Sequence, residues 1–154
     1  MKFTHLNEGG NAHMVDTSNR DVTLRTARTS AKVLISPLVI EEIRNQATPK
    51  GDVIATSRIA GIMAAKKTSE LIPLCHPIQI NKVEIDFEIR NDVVVIEAQV
   101  TTVDRTGVEM EALTAVAVAG LTLIDMIKSL DPRASITEIQ LVSKSGGKNG
   151  DWTR

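Results

Sequence analysis

Two pairs of ionisable residues bracket a stretch that has none: Glu109 and Glu111 precede, and Asp125 and Lys128 follow, an uncharged run from Ala112 to Ile124. A helix apolar all round must be covered on every side. Carboxylates and a lysine at the edge of such a dry surface are where pKa values move and acid–base chemistry becomes possible. The run is shorter than the ~20 apolar residues that cross a bilayer, so its expected cover is the rest of the fold and a second subunit. Asp125 and Lys128, spaced i, i+3, can pair on the helix surface, which alone makes a minor salt bridge. Glu109 and Glu111 lie on opposite sides of a helix but on one side of an extended segment. Both serve one site only if the helix begins around Glu111; otherwise they simply complement the helix dipole.

Other reactive groups are scattered along the chain. Lys66 falls on a helical stripe with Ile59, Ile62 and Met63, a costly place for an ammonium unless a partner waits there or the side chain snorkels to water at the helix end. Pro73 and Pro77 bracket Cys75 and His76. Neighbours in an extended segment face opposite ways, so these two do not read as a nucleophile–base pair. Cys75 reads as a small buried apolar residue, and His76 either hydrogen-bonds a ligand or is structural. KSGGK (Lys144 to Lys148) has the look of an anion-binding glycine loop without the spacing of a nucleoside triphosphate P-loop.

The elements that must position these groups follow from periodicity. Residues 82–90 alternate, with Val83, Ile85, Phe87 and Ile89 on one face and Lys82, Glu84, Asp86 and Glu88 on the other, the pattern of a half-buried strand. Asn91-Asp92 reads as a hairpin turn into a β-branched strand over 93–103. Residues 21–35 form a long strand, Pro37 opens a short helix ending before Pro49, and Asp52 caps a helix through about Lys67. The uncharged helix and a strand over 134–142 complete the order. Strand, helices, strand, strand, helix, strand is the split βαβ of a ferredoxin-like α+β sandwich: a four-stranded antiparallel sheet with helices packed on one face. Residues 1–154 make one domain, with mobile ends expected at about 1–18 and 144–154, where glycines cluster.

Composition excludes several functions. With 18 basic and 19 acidic residues the chain has no global field for nucleic acid or membrane. RNA-binding members of this fold stack bases on aromatics of the central strands, and here Phe3, Phe87 and Trp152 are the only aromatic residues, none of them in 21–35 or 93–103. One cysteine and three histidines without ligand spacing give no expectation of a disulfide or a metal site. The lysine near the N-terminus is followed by no apolar run, so no signal peptide is read and the cytoplasm is the expected compartment.

HMVDTS (His13 to Ser18), KGDV (Lys50 to Val53), RIAGIMAAKKT (Arg58 to Thr68), LIPLCHP (Leu71 to Pro77), TGVEMEALTAV (Thr106 to Val116), DMIK (Asp125 to Lys128) and KSGGK together span nearly the whole chain. In that order they resemble the cyclic pyranopterin monophosphate synthase family, the second enzyme of molybdenum cofactor biosynthesis. The resemblance implies a ferredoxin-like fold and a cyclised, GTP-derived triphosphate substrate, 3′,8-cyclo-7,8-dihydroguanosine 5′-triphosphate, supplied by a separate radical enzyme. It also implies release of pyrophosphate, and a hexamer built as a trimer of dimers with shared active sites. Carried onto this sequence, it makes Asp125, Lys128 and Lys66 catalytic. Leu74, Cys75, His76, Met110 and Glu111 fall on its substrate-binding segments, with Glu109, Lys50, Arg25 and Asp16 on further site positions. Charge divides their roles: Arg25, Lys50 and Lys66 suit phosphates, Glu109 and Glu111 suit the donor edge of a guanine-like base, and Asp125 and Lys128 suit proton transfer. Ile124 and Ile127, where relatives often carry an aromatic residue and a cysteine, and Asn149 depart from the pattern. No cofactor is expected, with a magnesium ion beside the triphosphate left as an open alternative. A nucleotide-binding regulatory module without turnover is the competing reading.

Overall fold

The structure, a computed structural model, describes residues 5–147 and 150–154; Phe3, Lys148 and Asn149 lie outside the described residues. In chain order the elements are β1 (Thr23–Leu34), α1 (Pro37–Arg44), α2 (Val53–Ala65), α3 (Thr68–Leu71), β2 (Ile80–Ile89), β3 (Val93–Asp104), α4 (Glu109–Ile127), β4 (Ser135–Ser145) and β5 (Trp152–Thr153). The sheet runs β2-β3-β1-β4-β5, with every neighbouring pair antiparallel. Its first four members are the expected ferredoxin-like arrangement, and β1 pairs with β3 from Thr23 opposite Asp104 to Leu34 opposite Val93. The fifth strand was not expected. Two residues carry no periodicity to read, and Trp152 and Thr153 are recruited by pairing with Lys144 and Ser143 of β4. The short helix α3 was not expected either, because four residues are too few to show a helical period.

Strand alternation divides the sheet into two unlike faces. Ala27, Thr29, Ala31 and Val33 of β1, with Val94, Ile96, Ala98 and Val100 of β3 and Ile85 of β2, are buried beneath the helices. The opposite face carries ion pairs such as Arg28–Glu97 and Lys32–Glu138. Helix α4 lays Ala112, Ala115, Val116, Ala119, Leu123 and Ile127 on the sheet, all at 0 % exposure. Each large aliphatic side chain so buried contributes roughly 1.5–3 kcal/mol. By length and composition α4, with 19 residues and a mean hydropathy of 1.7, would also pass for a membrane span; here its apolar inner side is spent on the sheet. Its outer side is not covered by the described residues, since Leu121 is 60 % and Met110 37 % exposed.

Helix α2 decides between the two readings of Lys66 in favour of the side chain that reaches water at the helix end. Its buried residues are Val53, Ser57, Gly61, Ala64 and Ala65, with Ile54 and Ile62 half-buried against the core, whereas Ile59 and Met63 point out. Gly61 explains this: a Cβ there would lie 2.9 Å from the Ala115 carbonyl oxygen and 3.2 Å from the Ala119 Cβ. Close helix–helix approach therefore selects small residues, and Ile59 and Met63 are left 59 % and 54 % exposed. The stripe on which Lys66 lies straddles the edge of the core, with Ile62 half-buried against it and Ile59 and Met63 outside, and Lys66 itself is exposed as the C-cap of α2. The N-terminus of α2, capped by the Asp52 carboxylate on the Ala55 N–H at 2.9 Å, adjoins the C-terminus of α4. The two helices are antiparallel, which sends Lys66 toward the start of α4.

Candidate active site

The first turn of α4 forms a wall shared by two adjoining cavities. The helix begins at Glu109, with Val108 as N-cap, earlier than the start near Glu111 that a common site for both carboxylates demanded. Both nevertheless border one cavity of about 270 Å³, with Leu74, Cys75, His76 and Met110 as further lining. Beside it lies a cavity of about 350 Å³ lined by Arg25, Lys144, Gly146 and Gly147. Arg20, Thr106, Gly107 and Glu109 border both. The helix N-terminus is tied to the sheet by Thr29, whose hydroxyl donates to the Ala112 carbonyl at 2.8 Å.

The two carboxylates live in different surroundings. Glu109 accepts from the Lys144 ammonium at 2.9 Å. Glu111, 4 % exposed, has no cation partner among the described residues. Burial raises its carboxyl from 4.5 to about 7, the nearby Glu109 charge adds to the rise, and its own backbone N–H offsets part of it. The Cys75 thiol is pushed up first by burial and then by the Glu111 charge. It therefore stays protonated at neutral pH, and Cys75, expected to be a small buried apolar residue, is instead half-buried on the cavity wall.

In the larger cavity Arg25 is 9 % exposed and donates its Nε–H to the Asp104 carbonyl at 2.9 Å. Gly146 and Gly147 have φ of 80° and 89°, a backbone region that favours glycine. A Cβ on Gly146 would collide with the Leu24 carbonyl, and one on Gly147 would lie 2.5 Å from the Arg25 guanidinium. The glycine loop is thus shaped to let backbone approach an arginine closely.

A second cluster occupies the opposite end of α4. The Asp125 carboxylate accepts from Lys128 at 2.6 Å and from Lys50 at 3.0 Å, and Lys50 also donates to the Asp125 carbonyl at 2.8 Å. The hydrogen bond from Lys128 and then that from Lys50 hold the Asp125 carboxyl below its usual range. Fourteen residues of helix separate Glu111 from Asp125, about 21 Å at 1.5 Å per residue. One chain therefore does not bring its two reactive clusters together. Lys66 borders neither of the two cavities. Asp16 does not either: its carboxylate accepts the Ser18 N–H at 2.8 Å.

Three features of the site had no clear signal in the sequence. The Lys50–Asp125 contact joins residues 75 apart along the chain. The Lys144–Glu109 pair joins the glycine loop to α4. The segment before β1 folds back over the smaller cavity, contributing His5, Val15 and Arg20 to its lining, and His76 Nε2 lies 2.7 Å from the Val15 carbonyl oxygen. His76 is thus engaged with the chain's own backbone. Arg20 sits in no periodic pattern, and only its charge marks it.

Comparison with known proteins agrees with the residues assembled here. The MoaC family model matches residues 14–147. The chain is 56 % identical over 153 residues to a cyclic pyranopterin monophosphate synthase of Streptomyces coelicolor, covering 99 % of this chain and 90 % of that one. Proteins of the same description are 53 % identical in a Nocardioides species, over 99 % of this chain and 96 % of that one, and 50 % identical in Thermomicrobium roseum, over 99 % and 93 %.

Proposed function

The chain belongs to the MoaC family, and from that premise we propose that its paired cavities take a cyclised, GTP-derived triphosphate and carry out cyclic pyranopterin monophosphate synthesis for molybdenum cofactor biosynthesis. The observation that carries this reading is the junction of an acidic cavity with a cationic one. Glu109 and Glu111 line the first, and Arg25, Lys144 and the glycine loop line the second. Carboxylates accept from the N–H edge of a guanine-derived ring, and guanidinium and ammonium groups meet phosphates. The cyclic phosphate forms when a sugar hydroxyl attacks the α-phosphorus. Pyrophosphate leaves with the electron pair of the broken bond and the hydroxyl proton passes to a base, which makes the enzyme a phosphorus–oxygen lyase.

Proton transfer is assigned to the far cluster. With two ammoniums on its carboxylate, Asp125 stays ionised at neutral pH, and Asp125 and Lys128 are the groups assigned to proton exchange with substrate. They reach it from a second chain. Packing the exposed outer side of α4 on its symmetry mate in an antiparallel sense sets the Asp125 end of one helix beside the Glu111 end of the other. It also covers Leu121 and the outward-facing Ile59 and Met63. Three such dimers would make the hexamer implied by the family resemblance. The test is direct: supply the cyclised triphosphate and measure pyrophosphate release together with pterin fluorescence. Binding without either product would favour a regulatory module and end the catalytic reading.

A further inference from the structure

The segment before β1 carries into the site one cation that the functional reading has not used. Residues 5–20 hold no helix and, apart from the single bridge between Leu6 and Ala12, no strand. They are fixed all the same. His76 Nε2 lies 2.7 Å from the Val15 carbonyl oxygen, the Ser18 N–H donates to Asp16 Oδ1 at 2.8 Å, and the Arg20 N–H donates to the Thr17 carbonyl at 3.1 Å. These contacts set the base of the Arg20 side chain against the cavity wall.

Arg20 borders both cavities and, among the described residues, is the sole lysine or arginine lining the one that holds Glu111, Cys75 and His76. Its neighbours each hold one contact within the chain: Arg25 donates its Nε–H to the Asp104 carbonyl, and Lys144 donates to Glu109. The Arg20 guanidinium has no hydrogen-bond or ion-pair partner among the described residues, although Glu109 and Glu111 line the same walls. An uncommitted planar fork between an acidic and a cationic cavity is suited to bidentate capture of an oxyanion. A nucleotide lying across that junction places there the phosphate nearest its base.

We propose that Arg20 is a further substrate-binding residue, one that grips the phosphate at the junction of the two cavities. This rests on the reading that a purine-derived triphosphate spans them. The test compares wild type with Arg20→Ala, Arg20→Lys and Arg90→Ala. The last removes the same charge at the β2–β3 turn, where Arg90 pairs with Glu88. Turnover of the cyclised triphosphate is measured, with competitive inhibition by guanosine 5′-monophosphate and by inorganic pyrophosphate. For Arg20→Ala, KM and the inhibition constant of the monophosphate should rise about tenfold or more, while that of pyrophosphate moves less than about twofold. Lysine should recover part of the loss, and Arg90→Ala should match wild type. An unchanged KM and monophosphate inhibition overturns the assignment. A pyrophosphate effect as large as the monophosphate effect also overturns it, by moving Arg20 to the outer phosphates. If wild type itself fails to turn over, the functional reading falls separately, and calorimetric binding of the monophosphate to wild type and Arg20→Ala still decides the role of Arg20.

Discussion

A site assembled from opposite ends of two antiparallel helices fixes how much activity a mixture of inactive variants can recover. Glu111→Ala and Asp125→Ala each damage every site in a homomeric dimer. Neither should unfold the chain, because Glu111 is a buried carboxylate without a cation and Asp125 is an exposed side chain at a helix end. In a hybrid dimer one site receives both defects and the other receives none. Equal amounts with free exchange give about half hybrids, each with one intact site, so the mixture should regain about a quarter of wild-type specific activity. The value does not depend on which step limits turnover. The assay is pyrophosphate release before and after mixing, with exchange followed by co-purification of an untagged variant with a tagged one. Activity no higher than that of the separate variants, with exchange demonstrated, would place the complete site within one chain and refute the antiparallel pairing. The alternative geometry then has to span the roughly 21 Å of helix between the two clusters.

Asp125 accepts from both Lys50 and Lys128, so the activation free-energy losses of Asp125→Ala and Lys128→Ala should combine to less than their sum in the double variant; strict additivity in kcat/KM would mean independent roles. The family resemblance makes Lys66 catalytic although it borders neither cavity of the single chain; on that assignment Lys66→Ala should abolish turnover with little change in melting temperature, because Lys66 is exposed, whereas Lys67→Ala should be mild, and wild-type turnover by the Lys66 variant would remove it from the site. Gly61→Ala sets an overpacking cost of about 1–3 kcal/mol at the Ala115 carbonyl contact against about 1 kcal/mol of gained helix propensity. The net should be a melting temperature lowered by a few degrees, and a variant as stable as wild type would show that the α2–α4 contact is not tight.

Periodicity carried most of the fold. The alternation over 82–90 and the β-branched run over 93–103 became β2 and β3, and Asp52 caps α2 as its type and place suggested. What periodicity misjudged was the direction of a face. Ile59, Ile62 and Met63 share a stripe, and apolar stripes usually turn inward, but Gly61 against Ala115 leaves no room for large side chains at that contact, and only Ile62 reaches the core while Ile59 and Met63 stay outside. At the site, charge and spacing identified the Asp125–Lys128 pair because an i, i+3 contact is local. The partners of Lys50, Lys144 and His76 are set by tertiary folding and leave no trace in spacing. Arg20 escaped notice for the same reason, as its place is fixed by a segment without regular structure.

Glu111 offers a readout of assembly that does not depend on turnover. In the single chain, burial first and the Glu109 charge after it raise its carboxyl from 4.5 to about 7. The folded chain therefore holds a proton that the unfolded chain releases across that interval. Stability from this group is full below about pH 4.5, falls as pH rises through the window, and stays low above about pH 7. At 1.36 kcal/mol per pH unit, the fall is on the order of 3 kcal/mol. An antiparallel partner changes this, because the partner's Lys50 and Lys128 would approach Glu111 and favour its carboxylate, pulling the upper edge of the window down. Leu121→Asp puts a charge on the outer side of α4, 60 % exposed in the chain, and so opposes docking without disturbing the core. Unfolding free energy is measured against pH at one protein concentration for wild type and Leu121→Asp, each with and without Glu111→Gln, whose amide does not titrate. The Glu111-dependent loss should run to about pH 7 in the Leu121→Asp chain and end at lower pH in wild type. Windows of equal width, with dissociation of Leu121→Asp shown by sedimentation, would mean that no cation from a second chain approaches Glu111.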